Sequence, residues 1–235
     1  MADLKGTKLT WLGHATVLVE TAKGTRILID PFLENNPSFP KGYVLPEKLD
    51  LILVTHGHFD HIADAVPVAK KTGAPVLGAV ELVAWVESKG VEKTVGINYG
   101  GTYVQDDVRV TMVEARHSSG IQDGDKMVYG GNPGGFVIAV EDGPVLLHAG
   151  DTTVFTDMKL IAELYGPEIG MLPMGGHYTM GPREAALAVK FLGLKAVLPI
   201  HFGTWPPLAG TPEQLEQYLE GTGVEVLKVK AGEAF

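Results

Sequence analysis

The chain has 235 residues, 45% of them hydrophobic, and a formal net charge of −9 from 19 Lys and Arg against 28 Asp and Glu. That length and apolar fraction suffice for one sizeable core, expected as a single domain over 1–235, and the acidic balance argues against general attraction to nucleic-acid backbones or anionic lipid. The absence of cysteine removes disulfides and thiolate ligands together, no stretch reaches about 18 consecutive apolar residues, and Met1–Thr10 has no apolar signal core, so the expectation is a cytoplasmic protein without membrane spans.

Lys8–Leu12, Ala15–Thr21 and Thr25–Asp30 read as short strands, with Ala22-Lys23-Gly24 as a hairpin turn. Pro31–Lys48 contains Pro31, Pro37, Pro40, Pro46 and Gly42 and cannot be a regular element; loops this long are usually functional or mobile. Leu51-Ile52-Leu53-Val54 is uncharged and reads as a buried strand. Asp60–Thr72 is predicted as a helix ended by Gly73, Ala74–Gly78 as a strand, and Val80–Ser88 as a helix closed by Lys89-Gly90. Strands near Gly101–Gln105 and Val108–Ala115 precede a second irregular stretch, His117–Gly135. Phe136–Val140 and Pro144–His148 then form a hairpin through Glu141-Asp142-Gly143. Helix and strand alternate from there: Thr156–Tyr165, Ile169–Pro173, Pro182–Leu192 with Pro182 in its first turn, Ala196–Ile200, Pro212–Glu220, and a closing strand Val224–Val229.

A weak internal repeat runs through this order. Arg26–Asp30, Leu51–Thr55 and Ala74–Gly78 have counterparts in Val145–Asp151, Ile169–Pro173 and Ala196–Ile200. Two such halves would pack sheet against sheet with helices outside, a four-layer αβ/βα sandwich of the α/β class. Residues at their strand ends would meet along one edge, between the sheets.

Chemistry concentrates in Thr55-His56-Gly57-His58-Phe59-Asp60-His61, on the loop leaving the apolar strand. His56 and His58, two apart in a non-helical loop, can grip one ion, and Gly57 between them lets the backbone bend tightly. Asp60 and His61 come after the turn and face a second position. This split suits two metals about 3.5–4 Å apart, and it lacks the helical spacing of a zincin. The plain alternative is a His-rich polar surface loop; four ligand types in this order directly after a core strand count against it. Imidazole and carboxylate ligands suit Zn, Mn, Fe or Ni.

His-x-His-x-Asp-His after a strand resembles the signature of the metallo-β-lactamase superfamily. Gly13-His14, Leu28-Ile29-Asp30-Pro31-Phe32, His148-Ala149-Gly150-Asp151-Thr152 and Thr179-Met180-Gly181-Pro182 resemble its small metal-dependent hydrolases related to L-ascorbate-6-phosphate lactonase. The resemblance covers nearly the whole chain. It implies the metallo-β-lactamase fold and three further ligands downstream, for which the chain supplies His117, Asp151 and His201 in the family's order. It implies two divalent ions per chain, zinc first, with Mn, Ni or Fe as alternatives. His56, His58 and His117 would hold one, Asp60, His61 and His201 the other, and Asp151 would bridge. The implied activity is hydrolysis of a small ester, lactone or phosphodiester by a metal-bound hydroxide, with Asp60 orienting the nucleophile. The rivals are a ribonuclease or phosphodiesterase acting on nucleic acid, and a non-enzymatic metal-binding protein. A flavodiiron-type reductase is disfavoured because that branch carries Glu in place of His58 and has a flavin domain.

His177, in Gly175-Gly176-His177-Tyr178-Thr179, follows a strand and is expected to reach the same edge, donating to an oxyanion or protonating a leaving group. Asp30 is expected to accept the free N–H of a ligand histidine. His148 stands between such a role and packing, and His14 between a substrate contact, support of a ligand, and a plain structural histidine. Arg116 and Arg183 can fork onto phosphate or carboxylate but are read first as solvated or salt-bridged. Tyr178 and Trp205 are candidate pocket walls. The expected partner is a small-molecule substrate, with no nucleic acid and no membrane; a homo-oligomer is left open. Pro31–Lys48 and His117–Gly135 are expected to flank the metal edge.

Overall fold

Short, mostly apolar runs pair into a six-stranded sheet in the order β1 (Lys8–Trp11), β2 (Val17–Glu20), β3 (Arg26–Ile29), β4 (Leu51–Leu53), β5 (Val76–Ala79), β6 (Thr94–Ile97). The computed structural model describes residues 3–235; Met1 and Ala2, which open the Met1–Thr10 segment, lie outside the described residues. A second sheet of seven strands uses β7 (Thr102–Gln105), β8 (Val108–Glu114), β11 (Gly134–Val140), β12 (Val145–His148), β13 (Ile169–Pro173), β14 (Ala196–Ile200) and β15 (Glu225–Val226). Between β8 and β11 a separate hairpin pairs β9 (Gly120–Asp123) with β10 (Lys126–Tyr129).

The internal repeat is realised in the strand pairing. From β1 to β6 the pairings run antiparallel twice and then parallel three times. The series β8-β11-β12-β13-β14-β15 repeats that pattern. The counterparts read from sequence, β3 with β12, β4 with β13 and β5 with β14, occupy equivalent places in the two sheets.

Successive residues of the second sheet face alternate cores, as a pleated strand requires. In the second sheet Phe136, Ile138, Ile169, Met171, Ala196 and Leu198 pack in one core with the first sheet. Their neighbours Val137, Leu172 and Val197 pack in another, against helices α4 (Met158–Tyr165), α5 (Pro182–Leu192) and α6 (Pro212–Tyr218). Across the first sheet lie α2 (Ala65–Thr72) and α3 (Val80–Ser88), which bury Val68, Ala69, Leu82, Val83 and Val86. The result is helices, sheet, sheet, helices: the four layers expected. Each fully buried Leu or Ile contributes roughly 1.5–3 kcal/mol, so the uninterrupted burial of Leu51-Ile52-Leu53 anchors the metal-motif loop. Among the described residues no helix is long and apolar enough to cross a membrane.

Four details depart from the sequence reading. The helix expected over Asp60–Thr72 is two pieces, α1 (Phe59–Ile62) and α2, because the Pro31 loop captures Asp64. Its N–H donates to the Pro31 carbonyl at 2.9 Å, and its carboxylate accepts from Leu33 N–H at 2.6 Å. The stretch His117–Gly135 is not wholly irregular, since it contains the β9–β10 hairpin, and β6 was not anticipated. The closing strand shrinks to Glu225–Val226. Pro31–Lys48 contains no helix or strand, as expected.

Candidate metal centre

The motif loop leaves β4 and ends in α1, and its first ligand candidate is oriented by the residue before it. Thr55 donates its only hydroxyl proton to Asp30 Oδ2 at 2.7 Å, so it can only accept from His56 Nδ1–H, 3.0 Å away. That turns the lone pair of His56 Nε2 inward. His58 engages the Ser118 hydroxyl through Nε2 at 3.2 Å, which leaves Nδ1 for the interior. His56 Nε2 and His117 Nε2 lie 3.0 and 3.2 Å from that Nδ1. Gly57 sits between with the Ile121 side chain against it: a Cβ would lie 2.4 Å from Ile121 Cγ1. What glycine supplies here is room for the β9 strand, more than a tight bend.

The second half of the motif converges on a neighbouring point. His61 Nδ1–H donates to Asp30 Oδ2 at 2.7 Å, the role expected of Asp30, and its Nε2 faces inward. Asp60 Oδ2 lies 3.6 Å from His201 Nε2, and His201 follows β14 directly. Asp151 stands between the groups. Its Oδ2 is 3.1 Å from His201 Nε2, 3.5 Å from His117 Nε2 and 3.9 Å from His56 Nε2, and its Oδ1 is 3.4 Å from His61 Nε2. All seven residues named from the sequence are thus brought together, in two groups able to hold metal: His56, His58, His117 and Asp151, and Asp60, His61 and His201 joined by His14.

The unsatisfied atoms of the donor set fit divalent ions. His61 Nε2, Asp151 Oδ1 and both ring nitrogens of His201 are buried without a hydrogen-bond partner. Buried polar atoms are rarely left so, because each costs about 1–3 kcal/mol. In the other group His58 Nδ1 lies 3.0 Å from His56 Nε2 and 3.2 Å from His117 Nε2, and a single ring proton cannot serve both contacts well. Divalent cations answer both, and nitrogen with carboxylate oxygen is a fitting ligand set for them.

Electrostatics divides the histidines. Burial holds His56, His58 and His117 below the ordinary imidazole value, so they are neutral at pH 7. Burial alone would also lower His61 and His201. For His61 the charges of Asp151 and Asp30 win and hold it well above the ordinary value; for His201 Asp151 wins and raises it to about 9. Burial would raise Asp60, yet the hydrogen bond with His14 and the nearby His201 and His61 keep it well below the usual carboxylate range. Asp151 is likewise held low by His201 and His61 against the effect of burial. Protonated His61 and His201 here balance Asp60 and Asp151, with Asp30 beside His61, in the place where cations would do so.

The remaining residues separate cleanly. His14 is fully buried, so of the roles left open to it a substrate contact does not arise; it pairs with Asp60 at 3.0 Å and with Thr204 at 2.8 Å, and burial lowers its pKa to about 4. His148 is a packing residue: Nε2–H donates to the Ala15 carbonyl at 2.9 Å and Nδ1 accepts from Gly150 N–H at 3.2 Å. His177 is exposed, with its ring 4.4 Å from that of Tyr178, and it takes no part in the hydrogen bonds of the two groups. Its loop does lie at the same edge, since Met180 N–H donates to the Thr152 carbonyl. Arg116 is engaged with Glu114 at 3.0 Å and stacks over Phe155, and Arg183 is exposed. Trp205 forms a wall with Phe32 and Phe59 and meets the His14 ring edge at 5.0 Å. Thr55, Ser118 and Thr204 were missed by sequence reasoning; only Thr55, adjacent to the motif, carried a signal.

Residues 25–202 match a family model described as a beta-lactamase superfamily domain. A UPF0173 metal-dependent hydrolase of Koribacter versatilis is 51% identical over 226 residues, covering 96% of this chain and 97% of that protein. Another, from Methanopyrus kandleri, is 44% identical over 232 residues, 97% of this chain and 99% of its own. Among solved structures, Igni18, a metallo hydrolase from the hyperthermophilic archaeon Ignicoccus hospitalis, superposes with a TM-score of 0.85 at 36% identity over 97% of both chains.

Proposed function

This chain belongs to the beta-lactamase superfamily as a UPF0173 metal-dependent hydrolase, and on that premise we propose that it uses two divalent ions, zinc first, to hydrolyse a small ester, lactone or phosphodiester. The observation that carries the two-ion reading is the Asp151 carboxylate, within 4 Å of nitrogens from both groups and with one oxygen unpartnered. His56, His58 and His117 would hold one ion, Asp60, His61 and His201 the other, with Asp151 shared. Bound there, such ions supply Lewis-acid activation of water and polarisation of the bond under attack.

The chain's own residues do the rest. Asp30 and Thr55 fix the tautomers of His61 and His56. Asp60, kept ionised, orients the attacking water as well as binding. His177, exposed on the loop that meets Thr152, would donate to an oxyanion or protonate a leaving group on a bound substrate. A cavity of about 550 Å³ lined by Tyr99, Arg116, His117, Asn132 and Pro133 borders the first group and is of small-molecule size. The net charge of −9 and the lack of a basic track count against a long polyanion, which needs several Lys or Arg contacts.

The test is metal analysis of protein purified without added metal, then a screen of lactones, phosphodiesters and phosphorylated sugars beside single-stranded RNA at physiological salt. Turnover of a small substrate supports the proposal. Efficient turnover of long RNA with none of any small ester or lactone would make the nuclease reading the better one.

A further inference from the structure

We propose that His14 is a positioning residue for the ion held by Asp60, His61 and His201, acting through the Asp60 side chain and the His201 backbone without ligating the ion itself. The inference rests on the two-ion reading above. His14 lies among those ligand atoms, so its role turns on which of its atoms are free. None is. Nε2 faces Asp60 Oδ2 at 3.0 Å and Nδ1 faces Thr204 Oγ1 at 2.8 Å. By contrast, Nε2 of His61 and Nε2 of His201, the nitrogens facing the same point, have no hydrogen-bond partner.

The partners also set the tautomer. A carboxylate can only accept, so Nε2 carries the proton, and Nδ1 accepts from the Thr204 hydroxyl. Thr204 in turn is within 3.4 Å of Ser38 Oγ, on the long proline-bearing loop. His61 and His56 are wired the opposite way, with Nδ1–H donated outward and Nε2 turned in.

The backbone repeats the message. The His14 carbonyl accepts from His201 N–H at 2.9 Å and from the Trp11 indole at 3.0 Å. His14 and His201 both hold left-handed backbone, at φ 53 and 56, where a non-glycine residue is strained. Gly13, at φ 90, is pressed on the same loop: a Cβ there would sit 2.4 Å from the Ser38 carbonyl oxygen. His14 lies between β1 and β2 of the first sheet, and His201 and Thr204 follow β14 of the second. One buried residue therefore joins a proposed ligand from each half of the fold, Asp60 through its side chain and His201 through its carbonyl.

The test compares wild type with His14→Ala and His14→Gln; the glutamine amide can still donate toward Asp60. Metal-free protein is titrated calorimetrically with Zn²⁺, and the cobalt-saturated forms are read by visible absorption. In His14→Ala the second ion is expected to bind roughly 10–100-fold more weakly, as loss of a group supporting a ligand does elsewhere. The first ion is unchanged, two ions still bind at saturation, the cobalt spectrum matches wild type, and His14→Gln recovers most of the loss. Unchanged second-ion affinity in His14→Ala overturns the proposal, as does loss of one ion at saturation with a shifted cobalt spectrum, which would make His14 a ligand. If wild type itself takes one ion, the two-ion reading fails on its own arm. His14 is then judged, as it is if the variants do not fold, by imidazole ¹⁵N spectra of wild-type protein with and without Zn²⁺. Nε2–H in both states upholds the role; an unprotonated Nε2 in either overturns it.

Discussion

Asp30→Asn isolates the part of the centre that ions do not touch. Asp30 is fully buried and accepts from Thr55 N–H at 2.8 Å, the Thr55 hydroxyl at 2.7 Å and His61 Nδ1–H at 2.7 Å. Truncation to alanine would forfeit three hydrogen bonds to a charged acceptor, at roughly 1.5–3 kcal/mol each. That approaches the whole stability of a typical domain, ~5–15 kcal/mol, so Asp30→Ala is expected not to accumulate as folded protein. Asparagine keeps the shape. Its carbonyl can still accept from Thr55 N–H, but its NH₂ then faces Thr55 Oγ1 and His61 Nδ1. The hydroxyl can rotate to accept; His61 must present a lone pair at Nδ1 and move its proton to Nε2, the atom facing Asp151. The expected loss is about 10–100-fold in affinity for the second ion, or roughly 1.4–2.7 kcal/mol, with the first ion spared. Calorimetric titration of metal-free Asp30→Asn beside thermal unfolding reads both effects. A wild-type two-step isotherm in a folded variant would refute the tautomer argument.

Three further outcomes are expected. His201→Ala removes a ligand and little packing, so metal content falls to about one ion per chain while thermal unfolding changes modestly; unchanged stoichiometry would contradict the assignment. Gly57→Ala places a Cβ 2.4 Å from Ile121 Cγ1 and is expected to cost about 1–3 kcal/mol in stability, seen as a lowered Tm and a weakened first ion; an unaltered Tm would show that the β9 strand yields freely. Metal binding should also release protons at pH 7: His201, raised to about 9, and His61, held well above its ordinary value, are charged without metal and must be neutral to ligate. Affinity for the second ion then rises with pH through about 9, where His201 gives up its proton; titration at pH 7 in buffers of different ionisation enthalpy counts the protons, and none released would contradict the charge balance.

The local part of the centre was legible in the sequence because the proposed ligands His56, His58, Asp60 and His61 are neighbours on one loop after one uncharged strand. His117, Asp151 and His201 were legible by their order and by the strands they follow. The pairing of His14 with Asp60 was not, since it joins residues 46 apart and depends on Thr204, 190 residues away, closing over the ring. Nor was the break in the first helix, which depends on the Pro31 carbonyl capturing Asp64 from another segment. The β9–β10 hairpin hid among Gly120, Gly124 and Gly130, whose turn signals outweighed the short alternation of Ile121 and Val128. The doubled sheet, by contrast, was visible as a repeat because each half carries the same run of apolar strands.

The most direct measurement is a crystal structure of zinc-loaded protein with anomalous data at the zinc edge. Two peaks per chain are expected, one within bonding distance of His56, His58 and His117, the other of Asp60, His61 and His201, with Asp151 touching both. A single peak at saturating zinc, or an Asp151 bound to one ion only, would contradict the shared binuclear centre.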